Sequence, residues 1–264
     1  MGILNVTPDS FSDGGTLQDV DAAVARGRDL VAAGADILDI GGESTRPGAV
    51  SVAPDLEAAR VLPVIDGLLA AGVDVPLSID TRNASVARRA LSAGARMFND
   101  VSALTHDPAS LDAAREAPMI CLMHALGDPQ TMQDNPRYDD VLLDVYDFLE
   151  YRIACCEMAG IGRERIIVDP GIGFGKTLQH NLALLRGLSL FHGLGCPVML
   201  GVSRKGTIGH LSAQPDAAKR APGSIAAGLL GLEQGVQILR VHDVDETAQA
   251  LRVWTALKQD EARA

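Results

Sequence analysis

The sequence is poor in aromatic residues. It also lacks cysteine pairs with CxxC spacing, long apolar runs and an N-terminal segment that resembles a signal peptide. Aromatics make up 3% of the 264 residues, so the core must be built from Ala, Val, Leu and Ile, as buried parallel strands and Ala-rich helices require. The four cysteines show no CxxC spacing, and no apolar N-terminal segment resembles a signal peptide, which predicts a reduced, cytoplasmic compartment. No stretch approaches the roughly 20 apolar residues of a membrane span, so we expect no membrane partner.

The chain also lacks an excess of basic residues. Its formal net charge is −11, which argues against binding to nucleic acid or to an anionic membrane surface, since both require a basic face. The six histidines show no paired spacing such as HExxH, and a zinc site is therefore not expected. Small-molecule substrates remain as the expected partners.

What the sequence does contain is a regular alternation of short apolar runs and helical patterns. Several helical patterns end in Ala-Gly, where glycine can adopt the left-handed conformation that closes a helix. The alternation predicts an α/β protein, a (β/α)8 TIM barrel forming a single domain over residues 1–264, and the competing fold is a doubly wound open sheet. The predicted strands are 3–6, 37–40, 76–79, 96–98, 119–122, 166–168, 197–200 and 237–241. The predicted helices are 17–33, 54–71, 84–93, 108–116, 139–160, 178–190, 217–233 and 245–258.

Polar residues follow directly after these apolar runs. The carboxyl ends of parallel strands open onto one face of such a fold, so residues far apart in sequence are expected to meet in one pocket. The residues concerned are Asn5, Asp39, Asp80, Asn99, His124, Asp169, Ser203 to Lys205 and Arg240 to His242.

The glycine-rich segment 171–177 does not match the common phosphate motifs. It ends like a Walker A loop, but the first glycine of that motif falls on Pro170. Its third glycine comes one residue early for the GxGxxG dinucleotide motif. We therefore interpret it as a tight loop that lets the backbone approach a ligand.

Eight sequence blocks, in order, resemble the dihydropteroate synthase family from residue 2 to about residue 251. The resemblance implies a (β/α)8 barrel, usually a homodimer. It also implies an enzyme that joins 6-hydroxymethyl-7,8-dihydropterin diphosphate to 4-aminobenzoate and releases diphosphate in folate biosynthesis. The blocks are GILNVTPDSFSDGG (2–15), DIGGESTRPGA (39–49), SIDTR (78–82), FND (98–100), LMH (122–124), VDPGIGFGK (168–176), GVSRK (201–205) and RVHDV (240–244).

The resemblance also implies residue roles. A pterin offers N–H groups that suit carboxylate or amide acceptors and ring atoms that suit donors. The implied pterin residues are Asp80, Asn99, Val101, Met123, Asp169, Gly201 and Lys205. The implied diphosphate residues are Asn5, Arg46, Arg240 and His242. The implied aminobenzoate residues are Thr45, Pro47, Phe174, Ser203, Arg204 and Lys205.

The implied chemistry is a substitution in which diphosphate leaves before the amine attacks. Asn5 is expected to help hold Mg²⁺, with phosphate oxygens and water as its other ligands. The catalytic residues implied are Asp80, Asp169, Lys205, Arg240 and His242. The loops at 9–15 and 41–48 are expected to close over the intermediate.

Other interpretations stay open at this point. The functional alternatives are a pterin-dependent methyltransferase domain and a catalytically silent pterin-binding paralogue. Asp39, Asp100 and His124 could serve structure as well as function. Lys176 is expected to be a surface charge beside a helix, and Cys155 and Cys156 are expected to pack on a helix. After LMH the family commonly continues Met-Gln-Gly, whereas this chain has Ala-Leu-Gly at 125–127.

Overall fold

Eight short parallel strands form the centre of the molecule. The structure is a computed structural model, and it describes residues 1–7, 17–44, 49, 51–127 and 131–258. Each predicted strand is present within these residues, with bounds shifted by one or two positions. The strands are β1 Gly2–Asn5, β2 Leu38–Gly41, β3 Leu77–Asp80, β4 Met97–Asp100, β5 Met119–Met123, β6 Ile166–Asp169, β7 Met199–Leu200 and β8 Ile238–Leu239.

The strands close into a barrel. Strands β1 to β6 pair in sequence order, and β7 pairs with β8. Parallel bridges at Val168–Val198 and Gly2–Val241 join the two groups. The Ile3 amide donates to the Val241 carbonyl at 2.9 Å, so the last strand lies against the first. The (β/α)8 TIM barrel is thereby confirmed, and the doubly wound open sheet is excluded.

Helices surround the strands, and most lie where the sequence pattern places them. The glycines predicted to close helices, Gly34, Gly72, Gly94 and Gly160, all have positive φ. None of the described helices has the length and apolarity needed to cross a membrane. The helices are α1 Leu17–Ala32, α2 Pro54–Ala70, α3 Ala84–Ser92, α4 Ser110–Glu116, α5 Val141–Met158, α6 Leu178–Arg186, α7 Gly206–Leu211, α8 Ala221–Glu233 and α9 Val244–Lys258.

Two helix predictions are wrong in detail. The predicted helix 178–190 ends at Arg186 and continues as a 3₁₀ segment, Leu188–Leu194, because Gly187 interrupts it. The predicted helix 217–233 begins only at Ala221, since Pro222 belongs in the first turn of a helix and disfavours helical backbone before it. The six-residue helix α7 was not predicted, because its two glycines and short length give a weak pattern.

The barrel interior has an apolar layer below a polar one. Met97, Cys121, Ile167 and Met199 form a buried cluster of their own inside the barrel. Side chains on a strand alternate between its two faces, so the residues two positions later point into the same interior, nearer the carboxyl ends. Those residues are Asn99, Met123, Asp169 and Gly201. Strand geometry therefore places Asn99 and Asp169 at the barrel mouth. We call these residues and the polar side chains that surround them the polar layer.

Candidate active site

The centre of the polar layer is an arginine between two aspartates. Arg240, just after β8, places Nε 2.6 Å from Asp39 Oδ2 and Nη2 2.6 Å from Asp80 Oδ2. Asn99 donates from Nδ2 to the same Asp39 oxygen at 3.0 Å. These contacts join β2, β3, β4 and the end of β8, which confirms that residues distant in sequence meet at one barrel mouth.

The two aspartates keep acceptor capacity in this buried setting. Among the described residues, Asp39 Oδ1 and Asp80 Oδ1 have no hydrogen-bond partner. Burial raises the pKa of Asp80 to about 7, against the opposing effect of Arg240. Burial also opposes the charge of Arg240, but Asp39 and Asp80 outweigh it and raise the pKa of the guanidinium. The pair of free oxygens is suited to a ligand that brings N–H donors or positive charge.

Asn5 faces the same cluster from β1. A Cβ atom placed on Gly41 would lie 3.7 Å from both Asn5 Oδ1 and Asp80 Oδ2, so the two oxygens flank one point. The described residues contain no group of three or more His, Cys, Asp or Glu that could hold a metal ion. Mg²⁺ takes one or two protein oxygens and completes its shell with phosphate and water. The amide oxygen of Asn5 suits such an ion as a single protein ligand.

Asp169 and Lys205 define the opposite side of the mouth. Asp169 Oδ1 accepts from the Gly171 amide at 2.7 Å. A Cβ on Gly201 would lie 3.5 Å from Asp169 Oδ2 and 3.9 Å from Lys205 Nζ, so both groups border the space above that glycine. Burial raises the pKa of Asp169 and lowers the pKa of Lys205 to about 8, although each group counteracts the shift of the other.

Lys205 also contacts the loop between β6 and α6. Its Nζ donates to the Ile172 carbonyl and lies 4.5 Å from the centroid of the Phe174 ring, a cation–π arrangement. Val101 and Phe174 line a cavity of about 330 Å³ beside the barrel mouth, and Met123 is buried next to Gly171. Val101 and Met123, two of the predicted pterin residues, therefore lie close to the loop between β6 and α6.

Ser203 and His242 form a pair between the ends of β7 and β8. Ser203 Oγ accepts from the His242 amide at 3.1 Å and lies 3.0 Å from His242 Nδ1. Arg204, a predicted aminobenzoate residue, binds Asp243 through Nε at 2.9 Å and through Nη2. The guanidinium of Arg204 is therefore paired with a carboxylate, Asp243, that was not among the predicted site residues although it lies in the block RVHDV.

Asp39 and Asp100, for which the sequence allowed either a structural or a functional role, have different environments. Asp39 belongs to the polar layer through Arg240 and Asn99. Asp100 caps the following loop, since it accepts from the Ser102 amide at 2.7 Å and the Leu104 amide at 3.1 Å. The loop-cap interpretation therefore holds for Asp100, whereas Asp39 lies with the pocket residues.

The prediction that Lys176 is a surface charge is wrong. Lys176 is 3% exposed, and its Nζ lies 2.8 Å from His124 Nδ1. His124 is buried as well, with its ring 4.9 Å from that of Phe148. Lys176 does lie beside a helix, as predicted. Its side chain nevertheless turns inward to His124, which is 52 positions earlier in the sequence.

A second buried network was not identified from the sequence. Arg82 binds Glu43 at 3.2 Å, and both side chains are less than one-tenth exposed. Arg82 Nη2 also donates to Ser51 Oγ at 2.8 Å. Glu43 and Arg82 both lie in the blocks that carry the family resemblance, which was the available signal. The predicted residues Thr45, Arg46 and Pro47, and the loop 9–15, lie outside the described residues.

Comparisons with known proteins define the class of the molecule. The family described as pterin binding enzyme matches residues 1–242. A dihydropteroate synthase of Neisseria meningitidis serogroup B is 52% identical over 263 residues, covering 97% of this chain and 92% of that protein. The chain therefore belongs to the pterin binding enzymes.

Solved structures narrow the class. Xanthomonas albilineans dihydropteroate synthase with 4-aminobenzoic acid superposes with a TM-score of 0.92 at 50% identity, covering 98% of this chain and 93% of that one. The same enzyme in complex with 7,8-dihydropteroate gives a TM-score of 0.88 at 46% identity and the same coverage. Within the pterin binding enzymes, the chain belongs to the dihydropteroate synthases, which are transferases of folate biosynthesis.

Proposed function

We propose that the chain condenses 6-hydroxymethyl-7,8-dihydropterin diphosphate with 4-aminobenzoate and releases diphosphate before the amine attacks. The observation that carries this proposal is the buried layer in which Arg240 joins Asp39 and Asp80 while each aspartate keeps an oxygen without a partner. Such a layer offers acceptors for a heterocycle and a cation for its leaving group.

The pterin is assigned to the space between Asp80 and Asp169. The carboxylates and the Asn99 amide would accept from the aminopyrimidinone N–H groups, while Lys205 donates from the opposite side. Gly201 supports this assignment because it leaves room beside Asp169 and Lys205. Val101 and Met123, both buried, would pack on the ring faces.

The diphosphate is assigned to Arg240, His242, Asn5 and Arg46. A guanidinium has five N–H donors, and Arg240 uses Nε and Nη2 for the aspartates. No described residue takes a hydrogen bond from its other donors, and we assign these donors to a phosphate. Asn5, with phosphate oxygens and water, would hold Mg²⁺, which supplies Lewis-acid stabilisation of the departing charge when it is bound.

The aminobenzoate is assigned to Phe174, Ser203, Arg204 and Lys205, with Thr45 and Pro47 from the sequence that follows β2. Phe174 beside Lys205 offers an aromatic face next to a cation. The C–O bond to diphosphate breaks first, and the carboxylates of Asp80 and Asp169 stabilise the resulting methylene cation. The aryl amine then forms the C–N bond and loses a proton to solvent.

Positional isotope exchange tests the order of these steps. Pterin diphosphate carrying ¹⁸O in the bridge between carbon and phosphorus is incubated with enzyme and Mg²⁺ but without aminobenzoate. If the C–O bond breaks reversibly, ¹⁸O moves from the bridge into non-bridging positions of recovered substrate. Retention of all ¹⁸O in the bridge, under conditions in which complete turnover occurs with aminobenzoate, contradicts early diphosphate departure.

We also propose a cytoplasmic homodimer. Four free cysteines, three of them buried, suit a reducing compartment. Large apolar side chains are exposed on the adjacent helices α7 to α9, including Leu211 at 53%, Leu230 at 43% and Val253 at 61%. This face is the proposed contact between subunits. Light scattering is expected to give a dimer mass that falls to the monomer mass in Leu230→Asp/Val253→Asp, whereas a wild-type monomer overturns the assignment.

A further inference from the structure

Lys176 is the most unusual side chain in the molecule outside the polar layer. It is an almost fully buried lysine, and its hydrogen-bond partners among the described residues include no carboxylate. Its Nζ lies 2.8 Å from His124 Nδ1, 2.9 Å from the Phe174 carbonyl oxygen and 3.3 Å from the His124 carbonyl oxygen. Burial, and secondarily the charge of Lys205, lowers the pKa of Lys176 well below its usual value. A buried amine is costly unless it is fully bonded.

The bonding around Lys176 is complete. Burial and the neighbouring Lys176 lower the pKa of His124 to about 3, so the imidazole is neutral. An ammonium has three donors for the three acceptors, and a neutral amine can instead accept from His124 while donating to the two carbonyls. Either arrangement satisfies every group, so Lys176 fixes the positions of both carbonyls.

These carbonyls belong to two segments that lie directly against each other. A Cβ on Gly171 would lie 1.9 Å from the His124 carbonyl oxygen, and a Cβ on Gly175 would lie 2.5 Å from Leu126 Cβ. Both glycines have positive φ, so the loop between β6 and α6 can follow the end of β5 at a distance that no other residue allows. Lys176 fastens this contact.

The fastened loop carries one wall of the pocket. Lys176 holds the Phe174 carbonyl, and the Phe174 ring lies 4.5 Å from Lys205 Nζ. The same loop offers the Ile172 carbonyl to Lys205. A chain of direct contacts therefore runs from His124 through Lys176 and Phe174 to Lys205.

We propose that Lys176 is a positioning residue that sets the aminobenzoate side of the pocket by tying the β6–α6 loop to the end of β5. This role rests on the proposed function, because it takes Phe174 as an aminobenzoate contact. Asp169 belongs to strand β6 itself and not to the loop that follows it, so the pterin side depends less on Lys176.

The test compares Lys176→Met with wild type in steady-state kinetics for each substrate. Methionine keeps the apolar stem and removes the amine. The KM for 4-aminobenzoate is expected to rise about tenfold, which corresponds to about 1.4 kcal/mol, while the KM for pterin diphosphate stays within about twofold. Lys258→Met is the matched control, because Lys258 is an exposed lysine paired with Glu233 on the surface, and both KM values should stay at the wild-type level.

A second variant covers the case in which Lys176→Met does not fold. The Tyr138 hydroxyl donates to the Gly175 carbonyl at 2.7 Å, a second tether of the same loop. Tyr138→Phe removes this one bond and should raise the aminobenzoate KM about threefold, as expected for a neutral hydrogen bond. Both variants should also speed amide hydrogen exchange in residues 171–177 while the barrel strands stay protected.

The possible outcomes distinguish the positioning role of Lys176 from the proposed function of the chain. Aminobenzoate KM values unchanged in folded Lys176→Met, an equal rise for both substrates, or loop exchange at the wild-type rate each overturn the positioning role. A wild-type enzyme without turnover contradicts the proposed function instead, and the exchange measurement then decides whether Lys176 fastens the loop.

Discussion

Arg240 and Asp80 form an ion pair of 2.6 Å between residues that are 160 positions apart in the sequence. The pair exists because β3 and the end of β8 open onto the same face of the closed barrel. Arg240 also binds Asp39, so one guanidinium neutralises two buried carboxylates. The stability of the barrel mouth and the proposed diphosphate contact therefore depend on the same side chain.

Replacing Arg240 by Met should destabilise the fold as well as abolish diphosphate binding. Leaving two buried carboxylates without their cation is expected to cost about 3–5 kcal/mol of unfolding free energy, measured by urea denaturation. Arg88→Met is the control: its ion pair with Glu116 is exposed, and the cost should stay below about 1 kcal/mol.

The destabilisation of Arg240→Met should depend on pH in a defined direction. The pKa of Asp80 is already raised to about 7 by burial, and loss of Arg240 raises it further. A carboxyl group with a raised folded-state pKa destabilises the fold fully above that pKa, and the penalty shrinks as the pH falls toward the unfolded-state pKa. The deficit should therefore be smaller at pH 5 than at pH 8. A deficit that is equal at both values contradicts the role of Asp80.

Asp169→Asn should reduce activity with little change in the loop. Asparagine keeps an oxygen for the Gly171 amide, which Asp169 binds at 2.7 Å, but loses the charge that we propose for pterin binding. We expect kcat/KM to fall about 100-fold, as for loss of a charged hydrogen bond, together with weaker pterin binding in calorimetry. Undiminished turnover would refute the assignment.

Asp100→Asn is the matched comparison among buried strand-end carboxylates. Asp100 accepts from two loop amides and the Ser102 hydroxyl, so its replacement should lower the unfolding free energy by about 1–2 kcal/mol. Turnover per folded molecule should stay within about twofold of wild type. A loss of turnover as large as that of Asp169→Asn would place Asp100 in the reaction.

Activity should decline on the alkaline side as Lys205 loses its proton. Burial lowers the pKa of Lys205 to about 8, so the group is a charged donor below that pH and a neutral amine above it. A profile of kcat/KM for pterin diphosphate should fall above about pH 8. In Lys205→Arg the guanidinium stays charged, so this alkaline decline should disappear even if overall activity is lower.

The barrel could be predicted from the sequence because each repeat carries its own signals. Apolar runs, Ala-Gly helix ends and polar strand-end residues such as Asp80 and Asp169 are local features, and parallel topology brings them together. The exact strand bounds could not be predicted: β8, predicted as 237–241, has two residues, and β4, predicted as 96–98, begins one residue later and ends two residues later.

The partners of long side chains could not be predicted. Lys176 follows a glycine-rich loop and looks like a surface charge, and only the packing of that loop on β5 turns it toward His124. Arg204 similarly binds Asp243, 39 positions away. Strand periodicity predicts the face of the sheet on which a side chain lies. It does not predict which partner the charged end of a flexible lysine or arginine contacts.

The measurement that tests the account most directly is product stoichiometry with purified protein, pterin diphosphate, 4-aminobenzoate and Mg²⁺. We predict that 7,8-dihydropteroate and diphosphate form in equal amounts, and that both are lost together in Asp169→Asn and Arg240→Met. Absence of both products from folded wild-type protein, or full product formation in folded variants lacking Asp169 or Arg240, would contradict the claim that the polar layer at the barrel mouth carries the reaction.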